Sequence, residues 1–364
     1  MPEPAPGDAF PTLSDLEEAA SRRLPPRIWA YLQGGAGEER TLRANRAAFL
    51  EWSLLPPMLS GVTAADTSTS LLGTNVRAPV FVTPMAYHGQ VHPDGEIGVA
   101  RAALRSGWAA SYSTLSSSSI EQIAAASGTG TRWFQLYLQP EFDVSRRLVE
   151  RAERAGYSAL VLTVDTPVLG VRDRQARGGF AIDTSVPIGN GADVVPPPRG
   201  PEVEGSLYRL GPGSASSWEI LDRLRSVSRL PWIAKGILTA EDARRAVEHG
   251  AKAILVSNHG GRQLDGVPAT LEVLPEIVDA VGSRAEVYLD GGVRRGTDVL
   301  IALALGARAV GIGRPVLWAL ANGGGAGVAD YMDRLTVELG TAMLLAGRRS
   351  IADVDRTLLR RKGA

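Results

Sequence analysis

The chain has 364 residues, of which 44% are hydrophobic and 21% charged, a composition typical of a soluble globular enzyme. Its 39 basic and 39 acidic residues balance, so no net charge would attract nucleic acid or an anionic lipid surface. The absence of cysteine excludes disulfides, cysteine-ligated metal sites and a cysteine nucleophile, and no other pattern predicts a metal.

The N-terminus and the hydropathy of the chain bear on its location. The first residues are rich in proline and acidic, with no apolar core of the kind a signal peptide needs. No run of about 18 apolar residues occurs, so we expect no membrane span. A chain without disulfides fits the cytosol, and we therefore expect a cytoplasmic protein.

In chain order, a helical segment is followed by alternating strands and helices. Residues 12–50 place Leu, Ile and Phe at helix spacing. Eight short apolar runs follow, separated by amphipathic segments. The runs cover residues 80–86, 108–114, 132–138, 159–165, 231–236, 253–258, 286–292 and 309–313. Eight such βαβ repeats predict an α/β fold, a (β/α)8 TIM barrel that occupies residues 1–364 as one domain.

A doubly wound sheet in two domains is the alternative fold. It is disfavoured because no GxGxxG motif follows the first apolar run. In a barrel, the active site lies where the strands end. The chemically capable side chains of this chain do follow the runs, which favours the barrel.

The interval between the fourth and fifth runs is much longer than the others. It holds Gly178-Gly179, three prolines at 196–198 and a Gly/Ser-rich stretch at 211–217. A segment over about 175–217 with this composition is typical of a lid after strand 4 that covers an active site. An insertion without a function would have the same composition, and the sequence does not separate the two.

The stretch SNHGGRQLD, residues 257–265, follows a buried apolar run. It places the imidazole of His259 and the guanidinium of Arg262 three residues apart on a glycine-rich turn. Such a pair suits removal of a proton from a substrate whose carboxylate is held. The other histidines are weaker candidates: His249 ends a helical stretch, His92 lies in a turn, and His88 follows a strand and would border a pocket.

Two glycine-rich loops predict a phosphate site. Residues 288–298, YLDGGVRRGTD, and residues 311–315, GIGRP, each follow an apolar run and carry an arginine. Backbone N–H groups of such loops bind phosphate oxygens, and Arg294 and Arg314 would neutralise the charge. The loops after strands 7 and 8 of a barrel are a common place for a phosphorylated ligand.

Taken together, these pieces resemble the FMN-dependent α-hydroxy acid oxidase/dehydrogenase family, which includes glycolate oxidase, lactate oxidase and mandelate dehydrogenase. The resemblance runs from about residue 24 to beyond residue 349. It rests on GGAGEERTLRAN, PMAYHGQVHPDGE, FQLYL, LTVDTPVLGVRDR, AKGILTAEDA, SNHGGRQLD, DGGVRRGTD and GIGRP. The overall sequence pattern is most similar to that of bacterial hydroxymandelate oxidases. The family commonly forms homotetramers, so the resemblance also implies a homotetramer.

The resemblance implies FMN as the cofactor and assigns its site. The residues that would line the isoalloxazine are Pro84, Met85, Ala86, Ser113, Gln135 and Thr163, with Ser257 also on the flavin side. Lys235 would stabilise the reduced, anionic flavin. The ribityl and phosphate groups would be held by Asp290, Gly291, Gly292, Arg294, Gly313 and Arg314.

The resemblance also assigns the chemistry. His259 would be the base that takes a proton from an α-hydroxy acid, and Asp165 the carboxylate that orients it. Arg172 and Arg262 would bind the substrate carboxylate. Tyr31 and Tyr137 would hydrogen-bond the carboxylate and the hydroxyl or oxyanion. Transfer of a hydride and formation of a carbanion both remain open.

The expected substrate depends on where the chain departs from the family pattern. Leu115 stands where glycolate-type enzymes carry an aromatic residue, Tyr87 where plant enzymes carry Met, and Trp29 and Leu32 replace Tyr beside Tyr31. The smaller Leu115 predicts an aryl or bulky substrate such as (S)-mandelate or 4-hydroxymandelate. Some dehydrogenases of the family carry Gly where this chain has Ala86, so the resemblance implies dioxygen as the electron acceptor, with peroxide formed. The alternatives are a lactate-type oxidase, a dehydrogenase using a quinone or carrier protein, an FMN barrel isomerase, and a flavin-binding protein without turnover.

Overall fold

The computed structural model describes residues 12–139, 141–167, 169–180, 183, 185–186, 188–191, 194 and 218–363. The strands are β1 (Trp52–Leu54), β2 (Thr69–Leu71), β3 (Thr74–Val76), β4 (Val80–Val82), β5 (Ala109–Ser113), β6 (Arg132–Leu136), β7 (Ala159–Thr163), β8 (Trp232–Ile237), β9 (Ala253–Val256), β10 (Glu286–Asp290), β11 (Ala309–Ile312) and β12 (Leu359–Arg361). The helices are α1 (Leu13–Arg23), α2 (Pro26–Gln33), α3 (Arg40–Leu50), α4 (Gly95–Ser106), α5 (Ile120–Ser127), α6 (Phe142–Arg154), α7 (Asp173–Arg177), α8 (Glu219–Arg225), α9 (Ala240–Glu248), α10 (Thr270–Val281), α11 (Gly296–Ala304) and α12 (Arg314–Leu345).

Strands β4 to β11 form a closed barrel of eight parallel strands, which confirms the predicted TIM barrel. The barrel closes where β11 pairs with β4, for example Val310 opposite Val80. Except for β8, which continues past its run to Ile237, each strand lies inside a predicted apolar run and ends before it does, because the polar residues at the end of the run belong to loops. β9, for example, ends at Val256, and the following residues turn away. Such strands are apolar on both faces because the barrel interior and the helices cover them.

Aromatic side chains fill the N-terminal end of the barrel interior. Phe81, Trp133 and Tyr288 are at most 1% exposed. Their ring centroids lie 5.1 Å (Phe81–Trp133), 5.6 Å (Phe81–Tyr288) and 5.7 Å (Trp133–Tyr288) apart, within the range of favourable aromatic pairs. This plug closes one end of the barrel, so a ligand can enter only from the C-terminal ends of the strands.

The predicted N-terminal helical segment is three helices. Pro25 and Pro26 separate α1 from α2, since the residue before a proline avoids helical geometry. A turn with Glu39 in the left-handed region separates α2 from α3. α1 packs on the long α12, and α2 lies across the mouth of the barrel.

Most of the expected lid lies outside the described residues, including the prolines at 196–198 and residues 211–217. Its described part contains the end of α7, Gly178 to Phe180 and isolated positions up to residue 194. The lid therefore stays a prediction. No helix in the described part of the chain is long and apolar enough to cross a membrane.

Candidate active site

A histidine–aspartate pair lies at the C-terminal end of the barrel. Nδ1 of His259 is 2.9 Å from Oδ1 of Asp165. Asp165 follows β7, and His259 follows β9 with a φ of +58°. Left-handed geometry is uncommon for a residue other than glycine and costs energy, so its occurrence at a functional side chain is notable. Gly260 and Gly261 continue the turn with positive φ.

Lys235 on β8 lies beside the carboxylate of Asp165. Its Nζ lies 3.8 Å from Oδ2 of Asp165 and donates to Oγ of Ser257 at 3.0 Å. Burial alone would raise the pKa of Asp165, but the charge of Lys235 and the hydrogen bonds from His259 and Thr166 outweigh it and hold that pKa below its usual value. The hydroxyl of Thr166 donates to the same carboxylate at 2.9 Å. Asp165 therefore stays ionised at neutral pH.

His259 is held as a neutral base. Burial lowers its pKa, the charge of Asp165 raises it, and the net shift is downward. The ionised Asp165 accepts a hydrogen bond from the N–H at Nδ1 of His259. This leaves Nε2 as the basic nitrogen. Nε2 lies 3.5 Å from the hydroxyl of Tyr137. Burial and the charge of Asp165 raise the pKa of Tyr137, so its phenol keeps its proton and can donate a hydrogen bond.

Arg172 and Arg262 line the same cavity as His259. Arg262 donates to the carbonyl oxygens of Tyr31 and Gly34 at 2.6 and 2.7 Å. Arg172 donates to the carbonyl of Arg262 at 3.1 Å and to Gln263 at 3.0 Å. Neither guanidinium has a carboxylate partner within the described residues. Burial and the neighbouring charge of Arg262 lower the pKa of Arg172 to about 10, the effect expected where two cations share a site.

A second pair of arginines, Arg294 and Arg314, also lines the cavity. Arg314 donates to the carbonyls of Leu32, Gly34 and Gly260, and Arg294 stacks on Trp318 at 5.0 Å. Burial lowers the pKa of both, and in the described part of the protein neither has a carboxylate partner. Burying a cation without a counter-ion costs free energy, so the two arginines favour a bound anion in this part of the cavity.

Glycines of the two phosphate-type loops also line the cavity, namely Gly291, Gly292, Gly311 and Gly313. Gly292 has a φ of +85°, and a Cβ there would lie 2.1 Å from the carbonyl oxygen of Asn45. No other residue fits such a position. Beside them Asp290 accepts a 2.5 Å hydrogen bond from Thr83. The loops and arginines that the sequence assigned to a phosphate thus meet in one place.

The remaining candidates divide between the wall of the cavity and the layer behind it. Pro84, Met85, Ala86, Ser113, Lys235, Tyr31 and Tyr137 line the cavity. Gln135, Thr163, Asp165 and Ser257 do not line it and lie directly behind the lining residues. The amide of Gln135 donates to Thr163 at 3.0 Å, and Ser257 holds Lys235. We therefore expect these four to act mainly by orienting side chains in front of them.

Several cavity residues were missed at the sequence level. Phe180 stacks on Tyr31 with ring centroids 4.1 Å apart, and nothing in the sequence pairs the two. Thr83 had a signal, because it adjoins Pro84; Gln263, which adjoins Arg262, had one too, although it contacts Arg172 and does not itself line the cavity. The expectation that His88 borders a pocket was wrong: its side chain is 1% exposed and does not line the cavity, whereas Tyr87 does. The left-handed φ of Tyr87, which precedes it, redirects the chain there.

Comparison with known proteins places the chain in a family. The model of the FMN-dependent dehydrogenase family matches residues 20–361, and the chain belongs to this family. Its cofactor is therefore FMN, and the protein is an oxidoreductase.

Individual relatives are similar over almost their whole length. The chain is 46% identical over 359 residues to an L-lactate oxidase of a Nostoc species, covering 95% of this chain and 97% of that one. It is 44% identical to human 2-hydroxyacid oxidase 1, covering 96% of each. A crystal structure of mandelate oxidase with benzoyl-formic acid matches with a TM-score of 0.87 at 44% identity, covering 96% of this chain and 97% of the other. These relatives define the class as the FMN-dependent α-hydroxy acid oxidases.

The residues of this cavity fit FMN. The buried arginines Arg294 and Arg314 and the glycine loops suit the phosphate of the cofactor. Lys235, only 3% exposed, is a fixed cation beside the adjoining part of the cavity.

Proposed function

We propose that this enzyme oxidises an aryl α-hydroxy acid, such as (S)-mandelate or 4-hydroxymandelate, to the α-keto acid and passes the electrons to dioxygen to form peroxide. The observation that carries the proposal is that His259 faces one cavity together with Arg172 and Arg262, two arginines with no carboxylate partner among the described residues. A base and a carboxylate clamp in one place are what an α-hydroxy acid requires.

The substrate carboxylate binds between Arg172 and Arg262, with Tyr31 beside them. The two guanidiniums lie close enough for the charge of Arg262 to lower the pKa of Arg172, and an anion between them relieves that repulsion. Charge-assisted hydrogen bonds then fix the acid in one orientation. This places the hydroxyl-bearing carbon against His259.

His259 accepts the proton that the hydroxy acid loses, and Asp165 stabilises the imidazolium that results. The phenol of Tyr137 donates a hydrogen bond to the oxygen on which negative charge develops. FMN, when bound, would supply the acceptor for the electron pair and the reaction with dioxygen. Pro84, Met85, Ala86 and Ser113 would hold the flavin ring, and Lys235 would place a cation beside it.

The apolar wall of the cavity supports an aryl side chain. Tyr31 and Phe180 form a stacked pair, and the ring of Tyr87 lies 6.5 Å from that of Tyr31. Leu115 lines the cavity and is 7% exposed. Aromatic rings bind well against such surfaces. The mandelate oxidases among the structural relatives also support an aryl substrate.

A lactate-type oxidase is the second candidate. It is favoured by the 46% identity to an L-lactate oxidase. A small acid would leave much of the apolar wall without contact, so the aryl substrate accounts for more of the cavity.

The test is anaerobic mixing of the holoenzyme with (S)- and (R)-mandelate, 4-hydroxymandelate, lactate and glycolate while the flavin absorption is recorded. We expect an aryl acid to bleach the band fastest, and readmitted air to restore it with release of peroxide. A higher kcat/KM for lactate or glycolate would overturn the aryl proposal. Bleaching that only a quinone or carrier protein reverses would indicate a dehydrogenase, and interconversion of mandelate enantiomers without bleaching an isomerase.

A further inference from the structure

The side chain of Asn190 lies in the layer behind the cavity, far along the chain from the residues that it contacts. It is 4% exposed. Its Nδ2 donates to the carbonyl of Thr114 at 2.8 Å, and its Oδ1 accepts from the backbone N–H of Ile120 at 3.0 Å. One amide therefore joins both ends of the loop between β5 and α5. That loop carries Leu115, which lines the cavity.

Thr114 connects this contact to a second part of the site. Its Oγ1 donates to the carbonyl of Gln135 at 2.7 Å and accepts from the backbone N–H of Tyr137 at 3.0 Å. Thr114 thus connects Asn190, which bonds its carbonyl, to its chain neighbour Leu115 and, through its hydroxyl, to the backbone of Tyr137. A shift of Thr114 would move the apolar wall and the phenol together.

Asn190 is itself firmly held. Arg151 on α6 donates to its carbonyl at 2.7 Å and forms a two-pronged ion pair with Glu121 on α5, with both distances 2.9 Å. Gly189 donates to the carbonyl of Ser116 at 2.9 Å. A Cβ on Gly189 would lie 2.1 Å from the backbone of Ser118, so the approach is as close as the chain allows.

We infer that Asn190 is a positioning residue that acts through Thr114, fixing the cavity wall at Leu115 through the main chain and the position of Tyr137 through the Thr114 hydroxyl. An amide suits this place because it offers a donor to a carbonyl and an acceptor to an N–H at the same time. Both partners are buried, so losing either hydrogen bond leaves a polar group without compensation. The inference rests on the proposed function only in assigning Leu115 to the substrate side chain.

The test compares Asn190→Ala with Ser119→Ala in the FMN-loaded enzyme. Ser119 caps the same helix α5, where its Oγ accepts from the N–H of Gln122 at 3.1 Å, but no hydrogen bond joins its side chain to Thr114. Both variants should lower Tm by weakening the start of α5. Titration of the visible flavin spectrum gives the Kd for benzoate and for acetate, two carboxylates that differ in apolar size.

In Asn190→Ala we expect the benzoate-to-acetate ratio of Kd to change by about tenfold, together with a lower kcat, while Ser119→Ala keeps both close to the parent. Asn190→Ser, which retains a donor, should recover part of the ratio. In a Leu115→Ala background, Asn190→Ala should no longer alter the ratio, because the wall through which it acts has gone.

Equal ratios in Asn190→Ala and Ser119→Ala, with only Tm lowered, would overturn the inference. If Asn190→Ala does not accumulate as folded protein, Asn190→Ser carries the same comparison, and an unchanged ratio there overturns it too. The ratio of Kd needs no turnover. A parent that binds benzoate but oxidises no hydroxy acid therefore refutes the proposed function without touching the role of Asn190.

Discussion

The two ends of the barrel interior contrast sharply although the same strands build both. At the N-terminal end, Phe81, Trp133 and Tyr288 fill the space with stacked and tilted rings. At the C-terminal end, Lys235 and His259 surround Asp165. The first end stabilises the fold by burying apolar area, whereas the second keeps charges in a place where burial is costly.

The charge balance of the C-terminal end explains why this cost is tolerated. Four buried or half-buried arginines and one lysine face the cavity, and within the described residues only Asp165 forms an ion pair with any of them. The anions of cofactor and substrate supply the missing charge. The end that binds ligand is therefore the less stable end until the ligand is present.

The largest expected effect at the C-terminal end is on catalysis. His259→Asn removes the base, and asparagine tolerates the left-handed φ of this position. We expect kcat/KM for the best hydroxy acid to fall by roughly 10³- to 10⁴-fold with little change in Tm. His249→Asn, at the end of α9, is the control and should retain parental activity. Comparable losses in both variants would remove His259 from the mechanism.

At the N-terminal end of the barrel, a substitution should change the stability of the protein and leave its activity nearly unchanged. Trp133→Ala leaves a cavity in the aromatic plug and should cost about 3–5 kcal/mol of unfolding free energy. The folded fraction should keep kcat within a few-fold of the parent, measured alongside urea unfolding. A large loss of kcat at full folding would mean that the two ends are coupled.

A substitution in the carboxylate clamp should have a smaller effect, mainly on substrate binding. Arg172→Met removes a charge-assisted contact, and we expect KM to rise about 10- to 100-fold, with a smaller change in kcat. Arg177→Met, one turn further on α7 and with a side chain 83% exposed, is the matched control. Steady-state kinetics with the same acid decides it, and an unchanged KM in Arg172→Met would place the carboxylate elsewhere.

The pH dependence is the mildest test. Because the pKa of His259 is lowered from its usual 6.5, kcat/KM should stay level from pH 8 down past 6.5 and fall only as the pH drops through the lowered value, where the imidazole gains a proton. In Asp165→Asn this limb should move to still lower pH, since the charge of Asp165 raises the pKa of His259. A limb above pH 6.5 in the parent would contradict the assignment.

Much of the site was visible in the sequence because its pieces are local. The loop at 257–265 and the two glycine loops each hold a ligand-binding group within a few residues of a strand end. Parallel strands bring all such ends to one rim, so alternation of elements was enough to predict that they meet. The local pattern could not predict which residues line the cavity and which lie behind its wall. Behind the wall lie Gln135, Thr163, Asp165 and Ser257, and His88 is buried away from the cavity.

The sequence by itself determined the eight strands, the helical N-terminal segment and the position at strand ends of the residues that we propose as base, carboxylate clamp and phosphate loops, because period and turn chemistry are properties of neighbouring residues. Only the tertiary structure decided which side chains from distant segments meet. The stacking of Phe180 on Tyr31, the support of Asp165 by Lys235 and the hold of Asn190 on Thr114 depend on how barrel and loops pack. Contacts across such separations leave no periodic trace in a single chain.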